Sequence, residues 1–449
     1  MRGVRVLLIS TYELGRQPFG LASPAAWLKA EGHQVTLADL ARSRLPAEAV
    51  AQAGLIAFFL PMHTATRLFL PVVERVKTAN PRAHLCAYGL YAPLNEPLLR
   101  RAGCATVIGG EFEQPLMELA RHLATPSSRA APTPLVSLER QQFQIPDRAG
   151  LPPLAAYASL VVKGGKRRVG YTEASRGCKH LCRHCPVVPV YRGRFRIVQP
   201  DIVLADIRQQ VAAGAEHITF GDPDFFNGPG HAMRIVEGLH REWPGLTYDA
   251  TIKIEHLLQH RDLLPRLQST GCLFVTSAVE SLDNEILEKL AKGHTRADFL
   301  EALDLTRAAG LPLAPTFIPF TPWTTLDSYR SFLGELANLE LAADVAPIQL
   351  AIRLLIPEGS LLLDLAEIRQ LIEPYDARQL AYPWRDPDPA LDRLSASIQE
   401  LIKRHERQGA SRAEIFRLIW DLAGNGAFPE VAPRPDRATI PYLTEPWYC

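Results

Sequence analysis

Arg176-Gly177-Cys178-Lys179-His180-Leu181-Cys182-Arg183-His184-Cys185-Pro186 sets three thiols within eight positions, three residues and then two residues apart. A loop this tight turns all three toward one point. They are soft ligands with no fourth cysteine nearby, whereas structural zinc and closed iron–sulfur centres take four protein ligands. The spacing points to an iron–sulfur cluster with one iron left open. Two plainer readings stay open on spacing alone: zinc, with His180 or His184 as fourth ligand, and a disulfide.

Working outward, Val169–Thr172 reads as the strand that delivers this loop. Downstream, Val203–Ala213 reads as a helix ended by Gly214, and His217–Phe220 as a strand running into Gly221-Asp222-Pro223-Asp224. A βα unit covers Thr247–His256, and Gly271–Ala278 is a strand ending in Glu280-Ser281. Leu313–Ile318 and Ile348–Leu355 read as two more strands. Six such units predict a partial, TIM-like (β/α)6 barrel with its functional groups at the carboxyl ends of the strands. Upstream, Val4–Ser10, Gln34–Ala38, Gly54–Leu60, His84–Tyr88 and Ala105–Ile108 are aliphatic runs alternating with helical stretches, among them Ala22–Glu31, ended by Gly32, and one that includes Glu74–Thr78. That pattern is an α/β doubly wound parallel sheet, whose ligands sit at strand ends; small and glycine residues at several adjacent strand ends suit a large, flat ligand or, more plainly, tight βα turns. The expected organisation is a Rossmann-type domain over 1–125, a Pro- and Ser-rich linker over 126–164, the partial barrel over 165–365 and a helical C-terminal cap and tail over 366–449.

The 449 residues carry 48 acidic and 49 basic side chains, which gives no reason to expect a nucleic-acid or membrane-surface partner. Seven cysteines, three of them clustered, are a reducing, cytoplasmic usage, and Cys86, Cys104 and Cys272 read as small buried hydrophobes. No apolar run approaches the ~20 residues of a membrane span.

The cysteine spacing resembles the signature of the radical SAM enzymes. That resemblance implies a [4Fe-4S] cluster on Cys178, Cys182 and Cys185 whose open iron chelates S-adenosylmethionine, which is cleaved to a 5′-deoxyadenosyl radical. His184 stands where that superfamily commonly has an aromatic residue. The residues it implies around S-adenosylmethionine are His184, Gly221, Asp222, Pro223, Asp224, Glu280, Ser281 and Lys292, with Leu287, Leu290 and His294 in the same pattern. It also implies an electron donor such as flavodoxin or ferredoxin. Residues Phe19-Gly20-Leu21 to Val35, Pro61-Met62-His63-Thr64 and Gly109-Gly110-Glu111-Phe112-Glu113 resemble the cobalamin-binding domain fused ahead of many radical SAM cores. The contacts implied there are Ser10, Thr11, Gly20, Leu21, Pro61, Met62, His63, Thr64, Gly89, Leu90, Tyr91, Gly109, Gly110 and Glu111. The Asp-x-His-x-x-Gly motif that supplies a cobalt-ligating histidine is absent, so no imidazole from it is expected on cobalt.

The tail Leu443-Thr444-Glu445-Pro446-Trp447-Tyr448-Cys449 looks like the start of the tail in the CUAEP/CCAEP-tail radical SAM family. That likeness implies a selenocysteine codon read as a stop after Cys449, with this thiol as a redox group or ligand. The function expected is methylation of an unactivated carbon in a small molecule or peptide. Alternatives are a radical rearrangement or cyclisation with cobalamin as redox cofactor, the same core without cobalamin, and a non-catalytic cobalamin- or zinc-binding regulatory protein. Bulky Phe19, Met62 or Phe112 blocking the strand ends would mark the version without cobalamin.

Overall fold

The computed structural model describes residues 3–125, 133–428 and 440–445; Cys449 lies outside them. Five aliphatic runs form parallel strands β1 (Arg5–Ser10), β2 (Gln34–Asp39), β3 (Leu55–Phe59), β4 (His84–Tyr88) and β5 (Thr106–Gly110). Strands β3 and β5 are buried along their whole length, as helices on both faces of a parallel sheet require. The sheet order is β2-β1-β3-β4-β5-β6, where β6 (Val136–Ser137) comes from the stretch expected to be linker. The order reverses between β1 and β3, so a crevice opens at their carboxyl ends.

Two helices begin earlier than the residues suggested. The helix expected from Ala22 starts at Phe19, which puts Gly20 and Leu21 in its first turn. The helix expected around Glu74 starts at His63.

The second sheet runs β14-β13-β12-β11-β8-β7-β15. Hairpin β7 (Ser159–Val162) and β8 (Gly165–Thr172) turns at Gly164, whose φ of +91° favours glycine. A short antiparallel pair, β9 (Ser175–Gly177) and β10 (Phe195–Ile197), brackets the cysteine loop. Strands β11 (His217–Phe220), β12 (Thr247–Thr251), β13 (Cys272–Glu280) and β14 (Leu313–Phe317) continue β8 in parallel, giving a curled half-barrel. The sixth unit is attenuated. Pro347–Leu350 is a 3₁₀ turn and only Arg353 bridges to Phe320, because Pro347 has no N–H for a ladder.

The main core lies between this sheet and its outer helices, and includes Ile218, Tyr248, Val275 and Phe317. Helices Pro389–Arg407 and Arg412–Ala423 join it through Ile398, Ile402, Phe416 and Ile419. The C-terminal helices therefore extend the outer layer of the half-barrel. Finally β15 (Tyr442–Leu443) returns to pair antiparallel with β7. Among the described residues no helix is long and apolar enough to cross a membrane.

Candidate active site at the cysteine loop

The loop is positioned from both sides. Gly177 takes φ +76°, and a Cβ there would sit 2.4 Å from Arg194 O and from the Tyr191 ring, so the residue before Cys178 must be glycine. Asn227 accepts from Lys179 N–H at 3.0 Å, Arg183 N–H donates to Leu290 O at 2.9 Å, and Ser360 Oγ donates to Arg183 O at 3.0 Å. Cys178 and Cys182 are buried and Cys185 is partly so. Burial pushes the Cys185 thiol up to about 12, and it raises Cys178 as well. Bare thiolates are thus disfavoured, and the charge they would carry is met by ammonium groups. Lys253 Nζ lies 3.8 Å from Cys182 Sγ and donates to Lys292 O at 3.0 Å.

The carboxyl end of β13 faces the same loop. A register shift between Ala278 and Glu280 leaves Glu280 at φ +70°, an uncommon conformation for a residue with a side chain. The strain turns its carboxylate inward, where Lys292 Nζ (3.3 Å) and His184 Nε2 (3.1 Å) meet Oε1. Burial raises the Glu280 carboxyl, but Lys292 and the His184 hydrogen bond outweigh it and leave about 2. Several buried atoms around the loop have no hydrogen-bond partner among the described residues: Nε2 of His180, Nδ1 of His184 and Asp224 Oδ2. Asp224 Oδ2 stands 2.7 Å from His256 Nδ1, close but misaligned. Burial, then Lys253, brings His180 down to about 4; burial, then Lys292, does the same to His294.

Other residues singled out from the sequence serve the chain itself. Asp222 accepts from Ala174 N–H and Ser175 Oγ, and burial raises its carboxyl to about 7. Gly221 makes room for Tyr171, whose hydroxyl would be 2.0 Å from a Cβ, and Pro223 is half-buried beside it. Ser281 Oγ accepts from Asp283 N–H at 3.0 Å.

The first sheet meets the loop directly. Leu60, Tyr91 and Leu94 share one apolar cluster with Cys178, Val187, Val190 and Tyr191. Beside Cys178, buried Arg176 is clasped by Glu113 at 2.7 and 2.9 Å and by Glu173 at 2.6 Å, with Phe112 4.5 Å beneath it. Glu111 accepts from Tyr191 OH at 3.0 Å, and burial, partly opposed by Arg176, lifts it to about 7. Phe19 and Phe112 both lie against the Arg176 guanidinium.

The strand-end glycines, read as suiting a flat ligand, are demanded by local packing whatever else they do. A Cβ on Gly20 would meet the Phe59 ring at 2.2 Å, on Gly89 (φ +112°) Leu60 O at 2.9 Å, on Gly109 Pro93 at 2.5 Å, and on Gly110 Ser137 O at 2.1 Å. Thr11 donates to Ala65 O, buried Tyr91 packs among the strand ends, and Leu21 is core. His63 is held by the Gln379 carbonyl. What remains toward the crevice is the half-buried arc Pro61, Met62, His63, Thr64 and Leu90, together with Ser10 Oγ, buried and without a partner among the described residues.

Residues 172–332, which span the cysteine loop and β11 to β14, match the Radical SAM superfamily. This segment is a radical SAM domain. Hopanoid C-3 methylase of Methylococcus capsulatus is 26% identical over 151 residues, 34% of this chain and 29% of that protein. The chain thus spans under a third of that relative. The fold is shared more widely. The cobalamin-dependent S-adenosylmethionine radical enzyme OxsB, at 15% identity, superposes with a TM-score of 0.72 over 89% of this chain and 66% of its own. The radical S-adenosylmethionine methyltransferase TsrM from Kitasatospora setae, at 16% identity, gives 0.65 over 81% and 76%.

The sequence reading missed Lys253, His256 and Asn227 within the radical SAM domain, and the Arg176–Glu113 clasp that joins it to the first sheet. Lys253 had a usable signal, a cation just past a strand end. The clasp joins residues 63 apart and had none. The zinc alternative also meets a geometric test. One zinc bound to three thiolates at ~2.3 Å draws the sulfurs to roughly 4 Å of one another. Among the described residues the donor set that closes within 4.8 Å is Cys178, His180 and Asp224, and the three thiols do not. A cluster, with one iron per thiolate, needs no such closure.

Proposed function

We propose that the protein is a cobalamin-dependent radical SAM enzyme that methylates an unactivated carbon of a small molecule or peptide. The observation that carries this reading is the docking of the three-thiol loop onto the strand ends of the first sheet in one apolar cluster. Cys178, Cys182 and Cys185 would hold the [4Fe-4S] cluster. The donor set fits: three soft ligands, two ammonium groups to balance an anionic cluster, and buried polar atoms awaiting a partner. Glu280, His184 and Lys292 would flank S-adenosylmethionine. The arc Pro61–Thr64 and Leu90, with Ser10 Oγ, would face cobalamin; the likeness to OxsB and TsrM supports that assignment. When bound, these cofactors supply a low-potential electron, a cleavable sulfonium and a transferable methyl group.

The chain's own residues set the conditions for that chemistry. Strain at Glu280 and its two cationic partners fix a charge that cannot rotate away. Arg176 and its carboxylates lock β9 against the first sheet, and the apolar cluster excludes water from the thiols. A reductant is required, and we assign it to an acidic carrier such as flavodoxin or ferredoxin. Residues 174–200 contain no Asp or Glu, and exposed Lys179, Arg192 and Arg194 ring Leu181, itself 53% exposed.

A reading without cobalamin keeps one observation in its favour, the packing of every strand-end glycine by the chain itself. Anaerobic reconstitution separates the two. About four irons per chain with a base-off cob(II)alamin signal by electron paramagnetic resonance supports the full proposal. Iron without cobalt supports the plain enzyme, and zinc without iron overturns both.

A further inference from the structure

The interior of the half-barrel is not filled as barrel interiors normally are, by bulky branched side chains. Its inner face carries Thr219, Thr251, Thr276, Ala278, Ala314 and Thr316, and these line a cavity of about 720 Å³. That is the size of a small-molecule site. Asp249, 7% exposed, stands in its wall at mid-strand on β12. Oδ1 accepts from Thr219 Oγ1 at 2.6 Å and sits 2.8 Å from His217 Nε2. His217 Nδ1 is in turn 2.8 Å from Thr247 Oγ1, which accepts from Arg167 at 2.6 Å. This relay orients the imidazole N–H toward Oδ1. Oδ2 has no hydrogen-bond partner among the described residues. Gln349, 4% exposed, gives Oε1 to Phe317 N–H and likewise leaves its Nε2 without a partner among them, along the same wall.

We propose that this cavity is the substrate site and that Asp249 Oδ2 binds a primary ammonium group of the substrate, with Gln349 Nε2 and the hydroxyls of Thr251, Thr276 and Thr316 meeting neighbouring hydroxyl or carbonyl oxygens. A buried carboxylate with one bare oxygen is best completed by a cation that also donates hydrogen bonds. The outer mouth is mixed in sign, with Lys166 and Arg407 beside Glu406 and Glu445, so it selects neither charge; the carboxylate in the wall does. Asp249 lies four residues before Lys253, about 13 Å of extended chain. The amine is therefore the end of the molecule remote from the thiol rim. The inference deepens the proposed function by naming its substrate class, and rests on that reading only for where the reacting carbon lies.

The test uses ligand-observed NMR on the apo-protein with ethanolamine, putrescine and glucosamine against ethylene glycol, butanediol and glucose. The amines should bind in preference to their hydroxyl counterparts, and D249N should weaken them tenfold or more. Asparagine keeps the acceptor for His217 and Thr219. T276V serves as a second variant that leaves the carboxylate intact and should weaken glucosamine more than putrescine. Absence of amine preference in the native protein, or equal binding by D249N, overturns the assignment. Iron content of reconstituted D249N, expected to be unchanged, separates that failure from failure of the cluster reading.

Discussion

Replacing Arg176 by methionine should strip the two sheets of their common cation. The side chain is buried, and so is that of its main partner Glu113, which also holds Ser23 Oγ at 2.6 Å. Methionine fills most of the volume and keeps the contact with Phe112, but leaves Glu113 and Glu173 buried without a counter-charge. Removing one member of such a buried pair costs about 3–5 kcal/mol. With an m-value of about 3 kcal/mol/M, the upper end for small proteins, that is about 1–1.7 M in urea midpoint. Equilibrium urea unfolding of the apo-protein, followed by circular dichroism, gives the number. The double variant R176M/E113Q removes one of the two stranded charges and should recover about 1–3 kcal/mol relative to the sum of the single variants. A loss below about 1 kcal/mol for R176M, or strict additivity with E113Q, would refute the idea that this clasp joins the sheets.

Serine at Cys182 should abolish the broad visible absorbance of the reconstituted protein and cut iron from about four per chain to near background; full iron retention contradicts the ligand assignment. E280Q leaves the Lys292 ammonium buried without its anion, and S-adenosylmethionine binding measured by equilibrium dialysis should weaken tenfold or more. Asp222 titrates near 7 when folded and near its ordinary value when unfolded, so the folded state holds the extra proton between about pH 4 and 7 and native stability falls as pH rises through that window. Native protein should therefore lose urea resistance relative to D222N between pH 4.5 and 7, and a flat difference would show that Asp222 is not raised. Charge reversal at Lys179, Arg192 and Arg194 together should slow reduction by flavodoxin at least tenfold at low salt, with the gap closing as salt rises; an unchanged rate places the donor elsewhere.

Much of the architecture was legible because continuous aliphatic runs such as Leu55–Phe59 can only be strands buried on both faces. The convergence of three thiols was legible from the spacing of Cys178, Cys182 and Cys185, whereas the choice of cluster over zinc or a disulfide rested on the resemblance. The boundaries of the helices at Phe19 and His63 were not, since both begin without a side-chain cap. The sixth strand failed at Pro347, a residue that argues against a central strand when given its due weight. The glycines at the strand ends carried two readings for a physical reason. Glycine permits close approach of a ligand and of a neighbouring side chain equally, and only the fold brings Phe59, Pro93 and Ser137 into that space. Glu280 was identified, but its φ of +70° was invisible because nothing in Val279-Glu280-Ser281 announces strain.

The pairing of β15 with β7, with Thr444 N–H donating to Ser159 O and Glu445 bridged to Arg42, has a consequence for the order in which the molecule is made. About 280 residues separate these partners, which at 5–20 residues per second of synthesis is roughly 15–60 s. Through that interval the edge of β7 is bare and the flank of the cavity stands open. A nascent chain in this state offers a template for aberrant strand pairing, and it also offers an unobstructed side entrance. Pulse-chase folding on ribosomes would find the last six described residues acting as the closing seam of a vessel whose other walls are already standing.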